Sequence, residues 1–300
     1  MKKSGKLILS ATLSLVLGIV LFVVGMGLID WDFDKLDTTE YTAKSYAAAK
    51  DERIDRIYVD LQTFPILIKA GDNISLDYYE ATDAAVSVKL ENGILRIAEK
   101  YRYNPFKTGL FNLMRNKYKF VLTVPNGADL LLSGPNCDLK ANGIVFSKLD
   151  FDVVNLDVSL TSCKADVLTI DSTNSDVVLT NCEIGRVVVD SVNSDVVISG
   201  GAYSDIKVDA TNNDVSINRV VVKSVDLSGL NGDYLLESVT LDKLSADALN
   251  LDANIEIVGV RSEFTIKTDG RGLPREQTGT TDKRIYLEGQ NCDVTLDFVS

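Results

Sequence analysis

The chain of 300 residues contains no histidine and only one tryptophan. Histidine is the usual general base near neutral pH and a common ligand of transition metals, so its absence excludes the most frequent catalytic and metal-binding arrangements. Four cysteines are present, at positions 137, 163, 182 and 292, and none of them forms a CxxC pair. A zinc site with the usual ligand spacing is therefore absent.

Basic residues are scarce in the second half of the chain. The formal net charge is −12, and residues 136–269 contain 22 Asp and Glu against 10 Lys and Arg. This one region accounts for the whole acidic excess. An acidic surface repels the phosphates of nucleic acids, so the composition predicts no nucleic-acid partner.

The N-terminus predicts a membrane anchor. Three lysines in residues 1–6 precede residues 7–29, which carry no charge. As a helix, residues 7–29 span roughly 34 Å, enough for a bilayer core. Lysines that flank a membrane span usually remain on its cytoplasmic side, so we expect a cytoplasmic N-terminus at 1–6 and a single transmembrane helix at 7–29. A linker or stalk at 30–50 should follow, and the rest of the chain should be extracellular at the cell membrane. The alternative is a cleaved signal peptide, but no A-x-A-like site follows the apolar run.

Residues 51–135 predict a less regular β region. Alternating stretches such as "VSVKL" and "LRIAEK" are typical of strands, and turn residues separate them. A basic, aromatic loop at 99–119 interrupts the pattern. We interpret it either as a cap over the open end of a stack of strands or as a contact for anionic lipid or cell-wall polymer. Its basic residues are Lys100, Arg102, Lys107, Arg115, Lys117 and Lys119.

An Asn-x-Asp triplet recurs seven times at a constant spacing of 19 residues. Counted from each Asn as position 1, positions 4, 6, 14 and 16 are mostly apolar, which gives each repeat two stretches with the period of two that a strand requires. Such repeats bury a core only when they are stacked. The sequence therefore predicts an all-β fold, a parallel β-solenoid (β-helix) of about 19 residues per coil over residues 136–300, with a C-terminal cap. The repeated asparagines are Asn136, Asn155, Asn174, Asn193, Asn212, Asn231 and Asn250.

The asparagines and aspartates of the repeat have structural interpretations. Asn tolerates turn geometry, including positive φ, and stacked Asn side chains can bond to one another along the stack. Asp at position 3 alternates with apolar positions and should face solvent. Asp at position 17 of one repeat and position 3 of the next place two carboxylates at one corner, which would suit Ca²⁺. The candidate Ca²⁺ corners are Asp171, Asp176, Asp190, Asp195, Asp209 and Asp214.

Two alternatives remain open for these side chains. The spacing of the acidic corners matches neither an EF-hand nor the glycine-rich Ca²⁺ nonapeptide. The alternative to Ca²⁺ sites is therefore a solvated acidic ridge that binds no ion, and we expect no cofactor. Cys163 and Cys182 are 19 residues apart and share one column of neighbouring repeats. They form either a buried stack of thiols or a disulfide.

The serial motifs resemble a known family. An apolar N-terminal segment is followed by the hairpin "NGILRI", the strand pair "FVLTVPNGADL" and the run of "NSDV" repeats. Together these are similar to the bacterial DUF4097 family of adhesin-like proteins over residues 51–300. The resemblance implies a β-solenoid and, loosely, a role in Gram-positive envelope stress. The family has no catalytic residues to carry over.

Three functions follow as hypotheses. The first is a non-enzymatic, membrane-anchored, adhesin-like binding or scaffold protein of the cell envelope, with cell-wall polymer, anionic lipid or another envelope protein as partner. The second is a carbohydrate-active β-helix enzyme, since two carboxylates suffice for glycoside hydrolysis. The uniform Asp columns argue against it, because an active site would interrupt the repeat with unique residues. The third is a stalk or a regulator that holds a membrane partner through its span.

Overall fold

A computed structural model of the chain describes residues 3–31, 40–49, 52–61, 65–81, 84–101 and 119–299. Helix α1 spans Lys3–Leu28. Within it, Ala11–Leu28 is long and apolar enough to cross a membrane, a property that membrane anchors and signal sequences share.

The remainder of the described chain is dominated by β-strands. The first seven are β1 (Tyr41–Ala47), β2 (Arg56–Asp60), β3 (Ile66–Ala70), β4 (Ser75–Ala81), β5 (Ala84–Glu91), β6 (Ile94–Tyr101) and β7 (Phe120–Val124). The next five are β8 (Ala128–Asn142), β9 (Phe146–Thr161), β10 (Lys164–Asn218), β11 (Val221–Val239) and β12 (Lys243–Val258). The last three are β13 (Thr265–Gly270), β14 (Arg284–Gly289) and β15 (Asn291–Val299).

Parallel pairing at a constant register stacks the repeats. Val177 pairs with Val158 and Leu179 with Leu160, so identical repeat positions lie over one another. The same register joins β8 to β9, β10 to β11 and β11 to β12. Strand β10 is 55 residues long because hydrogen bonding continues round the corners of successive coils. The predicted all-β parallel β-solenoid is confirmed.

The core is built from the apolar columns. Positions 4, 6, 14 and 16 face inward, as in Val177, Leu179, Val187 and Val189, each of which is completely buried. Position 9 adds another inward column that the period-of-two analysis did not include. That column contains Ile144, Cys163, Cys182, Val220 and Val239.

Regular coils extend further toward the N-terminus than residue 136. Strand β2 pairs in parallel with both β8 and β6, and β3 pairs in parallel with both β8 and β7. These strands form two further coils that lack the Asn-x-Asp triplet. Sequence periodicity alone could not find them, since residues 71–93 separate one coil from the next and form the antiparallel strands β4 and β5.

The segment predicted as a stalk at 30–50 contains a strand. Residues 41–47 form β1, which pairs antiparallel with β4 over its full length. Tyr41 and Tyr46 pack against the core. Residues 41–47 therefore belong to the folded domain, because their apolar side chains find partners on β4.

At the C-terminal end, the coil that follows β12 contains an insertion. Asn250 pairs with Asn291, so 41 residues separate two rungs instead of 19. The extra residues include β13, which pairs in parallel with β14 and covers it. The polar stretch at 268–284 thus begins inside β13 and reaches the first residue of β14.

Candidate binding surface

The repeated asparagines form a continuous ladder of side-chain hydrogen bonds along one corner of the solenoid. The Nδ2 of each Asn donates to the Oδ1 of the Asn one coil earlier, at 2.6–2.8 Å. Asn291 adds an eighth rung after the seven that the spacing identifies. Asn155 also donates to the carbonyl oxygen of Pro135 at 3.3 Å. The ladder fixes the corner and leaves the asparagines exposed to solvent.

The turn geometry expected of these asparagines lies elsewhere in the coil. None of the ladder asparagines, all of which are described, has a positive φ. Instead, position 8 adopts the left-handed conformation in six successive coils. The residues there are Gly143, Ser162, Asn181, Gly200, Arg219 and Ser238, with φ between 51° and 66°. The residue types at position 8 vary too much for the sequence to reveal it.

Two columns of carboxylates flank the ladder. Position 3 contributes an Asp to every coil from Asp138 to Asp252, and all except the half-buried Asp138 are exposed. Position 17 contributes exposed aspartates at 152, 171, 190, 209 and 247. Partial burial, followed by the charges of Asp176 and Asp138, raises the pKa of Asp157. Burial and the charges of Asp195 and Asp233 raise the pKa of Asp214 in the same way.

The six aspartates of the candidate Ca²⁺ corners are all exposed. Among the residues that the structure describes, no group of three or more Asp, Glu or Cys side chains is arranged to hold a metal ion. The carboxylates of one column repeat from coil to coil and face solvent rather than one another.

A groove runs between the Asn ladder and the position 3 carboxylates in the last coils. Its volume is about 570 Å³, and its walls include Asn231, Asp233, Asn250 and Asp252. The groove exists because position 2 points inward while positions 1 and 3 point outward. Carboxylates and amides stand along its walls, and it is open to solvent along its length.

Position 2 forms an inward column that the sequence analysis missed, and in three successive coils this column is polar. Ser175, Ser194 and Asn213 are buried there. Asn213 donates to the carbonyl oxygen of Ser228 at 3.1 Å and accepts from the hydroxyl of Tyr234 at 3.1 Å. The hydroxyls of Ser175 and Ser194 find no hydrogen-bond partner among the described residues. Polar residue types gave no signal that this position faces the core.

Cys163 and Cys182 are free, buried thiols in neighbouring coils. The Sγ of Cys182 lies 3.4 Å from the carbonyl oxygen of Leu160. A hydrogen bond with the Cys163 thiol and burial both raise the pKa of Cys182. Of the two arrangements left open by the sequence, the structure contains the stack of thiols.

The basic loop lies mostly outside the described residues. Arg102, Lys107, Arg115 and Lys117 belong to that undescribed part. Lys100 is exposed in β6, and Lys119 is exposed directly before β7. The β7 register places Lys119 one position before the column that contains Ile66 and Leu139.

The end of the basic loop meets a groove at the N-terminal end of the position 3 column. This groove has a volume of about 230 Å³ and is lined by Lys119, Lys140, Asp138 and residues 65–67. Two lysines thus lie where the acidic column begins. The charge of this corner changes from basic at its N-terminal end to acidic along the remaining coils.

Comparisons with solved structures return weakly similar chains. A protein described as a candidate adhesin from Bacteroides fragilis is 11% identical, with a TM-score of 0.41, and the match covers 87% of this chain and 97% of the other. A candidate lipid-binding protein from Parabacteroides distasonis is 10% identical over the same shares, with a TM-score of 0.42. A candidate cell adhesion protein from Clostridium sporogenes is 9% identical, with a TM-score of 0.30, over 87% of this chain and 100% of the other.

No curated protein sequence matches the chain. A family model, in contrast, matches nearly the whole region beyond the N-terminal helix and confirms the resemblance seen in the repeats. The chain belongs to the Toastrack DUF4097 family, whose model matches residues 54–297.

Proposed function

We propose that the protein is a non-enzymatic, membrane-anchored binding or scaffold protein of the bacterial cell envelope, similar to an adhesin. Helix α1 holds the chain in the membrane, and the solenoid stands outside the cytoplasm. Lys2, Lys3 and Lys6 precede the apolar helix and Asp30 follows it, a charge distribution that favours this orientation.

The observation that carries this proposal is the uniformity of the solenoid surface. The Asn ladder and the Asp columns repeat with the same side chains and the same register in successive coils. A catalytic site requires different groups held in one unique arrangement, whereas a repeated surface suits an extended partner. Repetition therefore favours binding over chemistry.

The basic loop gives the proposed binding protein a site for an anionic component of the envelope. Lys119 and Lys140 line the groove at the N-terminal end of the acidic column, and four more basic residues follow Tyr101 in the sequence. A cluster of cations attracts phosphate or carboxylate groups through charge. We propose cell-wall polymer or anionic lipid as the partner of this loop.

A pull-down from intact cells with the full-length, anchored protein tests this function. Wall polymer or anionic lipid should be recovered with the protein, and the quadruple variant Lys107→Glu, Arg115→Glu, Lys117→Glu, Lys119→Glu should lose it. As a matched control, Lys223→Glu with Lys243→Glu reverses two exposed charges on the solenoid and should retain the partner. Equal recovery by all three proteins would remove the loop as the binding site.

A further inference from the structure

An exposed apolar stripe lies beside the Asn ladder. It consists of the residue that directly precedes each ladder Asn. Four of these residues are large and apolar, with exposed fractions of 50% for Val154, 46% for Val192, 53% for Leu230 and 42% for Leu249. Exposed threonines, Thr173 and Thr211, occupy the coils between Val154 and Leu230.

The members of the stripe lie in one column along the solenoid. The asparagines that follow its members are joined in register from Asn155 to Asn250 by strand pairing and by the ladder hydrogen bonds. Neighbouring members therefore lie about 4.8 Å apart, and the stripe from Val154 to Leu249 is ~24 Å long. Single exposed apolar residues are ordinary on protein surfaces. Here four of them share one column, with Thr173 and Thr211 between the first three and with Leu230 directly beside Leu249, and exposed apolar surface that is gathered in one place can mark an interaction site.

A column of carboxylates borders the stripe on each side, except that Ser228 stands in place of an Asp two residues before Leu230. Position 17 lies two residues before the stripe, as Asp190 does before Val192, and position 3 lies three residues after it, as Asp195 does. The intervening Ser191 and Ser194 are buried, so the stripe and both carboxylates share the outer surface of the corner. The solenoid core makes no use of this arrangement.

We propose that the stripe is a docking surface for a cationic amphipathic helix of a partner protein. Apolar side chains of the helix would lie on Val192, Leu230 and Leu249, while flanking lysines or arginines extend down each side to the Asp columns. Long basic side chains can cover apolar surface and still place their charge at a carboxylate.

The spacing of the coils agrees with this partner. Coils are about 4.8 Å apart, and successive turns of an α-helix are about 5.4 Å apart. The two repeats therefore drift by only about 2 Å over four turns, which flexible side chains absorb. An extended strand repeats its same-face side chains about every 6.6 Å and loses register sooner.

The negative charge of the two Asp columns favours a cationic helix over two other candidate partners, a second copy of the chain and an anionic membrane surface. A second copy of the chain docked through the same stripe would bring carboxylate columns of equal sign together. An anionic membrane surface would be repelled by the same columns. A cationic helix satisfies both the apolar row and the charge on each side of it.

The probe for this proposal is a synthetic helix of leucines along one face with lysines on both flanks, about 20 residues and ~30 Å long. Its binding to the full-length protein in neutral phosphatidylcholine nanodiscs is measured by fluorescence anisotropy, with empty nanodiscs subtracted. The variant Val192→Thr with Leu230→Thr removes apolar surface from the stripe. Thr173 and Thr211 already occupy the same column, so the solenoid accepts this residue there.

The double Thr variant should bind the probe about tenfold more weakly or worse, a change that corresponds to losing one to two buried apolar contacts. Asp195→Asn with Asp214→Asn should weaken binding and reduce its dependence on salt. The control Val221→Thr alters an equally exposed valine, at 57%, in another column, and should bind within about twofold of the unaltered protein. A urea midpoint no lower than that of the unaltered protein in every variant excludes unfolding as the cause.

Three results would overturn the proposal. One is equal binding of the probe by the stripe variant and the Val221→Thr control. Another is equal binding of polylysine, which lacks an apolar face and would reveal a response to charge alone. The third is self-association of the full-length protein that the stripe variant abolishes, since that would make the stripe an interface between copies.

Discussion

The side-chain amide of Asn193 donates a 2.8 Å hydrogen bond to the side-chain oxygen of Asn174, 19 residues earlier. The side-chain oxygen of Asn193 accepts an equivalent hydrogen bond from the side-chain amide of Asn212, also at 2.8 Å. An interior rung therefore takes part in two ladder bonds. Asn291, the last rung among the described residues, takes part in one.

The ladder predicts a difference between these rungs. Asn193→Ala should lower the free energy of unfolding by about 1–2 kcal/mol, because each net hydrogen bond contributes about 1 kcal/mol at most at an exposed site. Asn291→Ala should cost about half as much. Urea denaturation followed by circular dichroism measures both. Equal losses would mean that the ladder bonds do not contribute individually.

A close backbone approach at Gly201 gives a second prediction. Gly201 has a φ of 94°, and a Cβ there would lie 2.0 Å from the carbonyl oxygen of Cys182. Gly201→Ala should destabilise the fold by more than about 2 kcal/mol, because strain at positive φ adds to a steric clash. Gly127 has a φ of 85° but open space around it. Gly127→Ala should cost only about 1 kcal/mol of strain, and an equal cost at both sites in thermal unfolding would contradict the clash.

Two buried serines beside the Asn193 rung, Ser194 at position 2 and Ser191 three residues earlier, should respond differently to removal of the hydroxyl. Ser194→Ala should leave stability unchanged or raise it, because it removes a buried hydroxyl that has no partner among the described residues. Ser191 donates to the carbonyl oxygen of Asn193 at 2.8 Å. Ser191→Ala should therefore cost about 1 kcal/mol in urea denaturation. A loss at Ser194 as large as at Ser191 would show that the Ser194 hydroxyl is bonded.

The acidic columns predict that mild acid stabilises the fold. Burial and neighbouring carboxylates raise the pKa of Asp157 and Asp214, so the folded state binds their protons more tightly than the unfolded state. The resulting penalty is complete above the raised pKa values and disappears below the ordinary Asp pKa of about 3.9. The urea midpoint should therefore rise as the pH is lowered from 7 to about 3.9, the ordinary Asp pKa.

Removing one of these carboxylates provides the control for the pH series. Asp214→Asn should raise the midpoint at pH 7, where the unaltered carboxylate is charged, and should reduce the increase on acidification. A midpoint that falls steadily from pH 7 would contradict the assignment, since it would require carboxylates with lowered pKa values to dominate.

The sequence predicted the parts of the fold that repeat. Val177 and Val196 occur at one repeat position and Leu179 and Ile198 at another, so the 19-residue period and the alternation of apolar residues identified both the coil and its core. Parallel stacking follows because such a coil cannot bury its apolar face alone. The resemblance to DUF4097 rested on the same serial repeats.

The sequence did not predict features that depend on geometry without a fixed residue type. Arg219 and Gly143 both occupy the left-handed position 8, so no residue pattern marks that turn. Ser194 and Leu251 both occupy position 2 and are buried, so no residue type at this position shows that it faces the core. The coil of β2 and β3 lacks the Asn-x-Asp triplet and is separated by an antiparallel insertion from the coil of β6 and β7, so the period could not extend to it.

The proposed function depends most directly on a solenoid that stands outside the cytoplasm on an uncleaved anchor. Labelling of intact cells with a membrane-impermeant maleimide tests this in a Cys292→Ser background, where the other cysteines are buried. Val260→Cys, at a position that is 58% exposed, should be labelled in intact cells. Ser4→Cys should be labelled only after permeabilisation, and on a full-length chain. Two results would contradict the account. One is labelling of Ser4→Cys, but not of Val260→Cys, in intact cells. The other is a mature chain that has lost the N-terminal segment containing position 4.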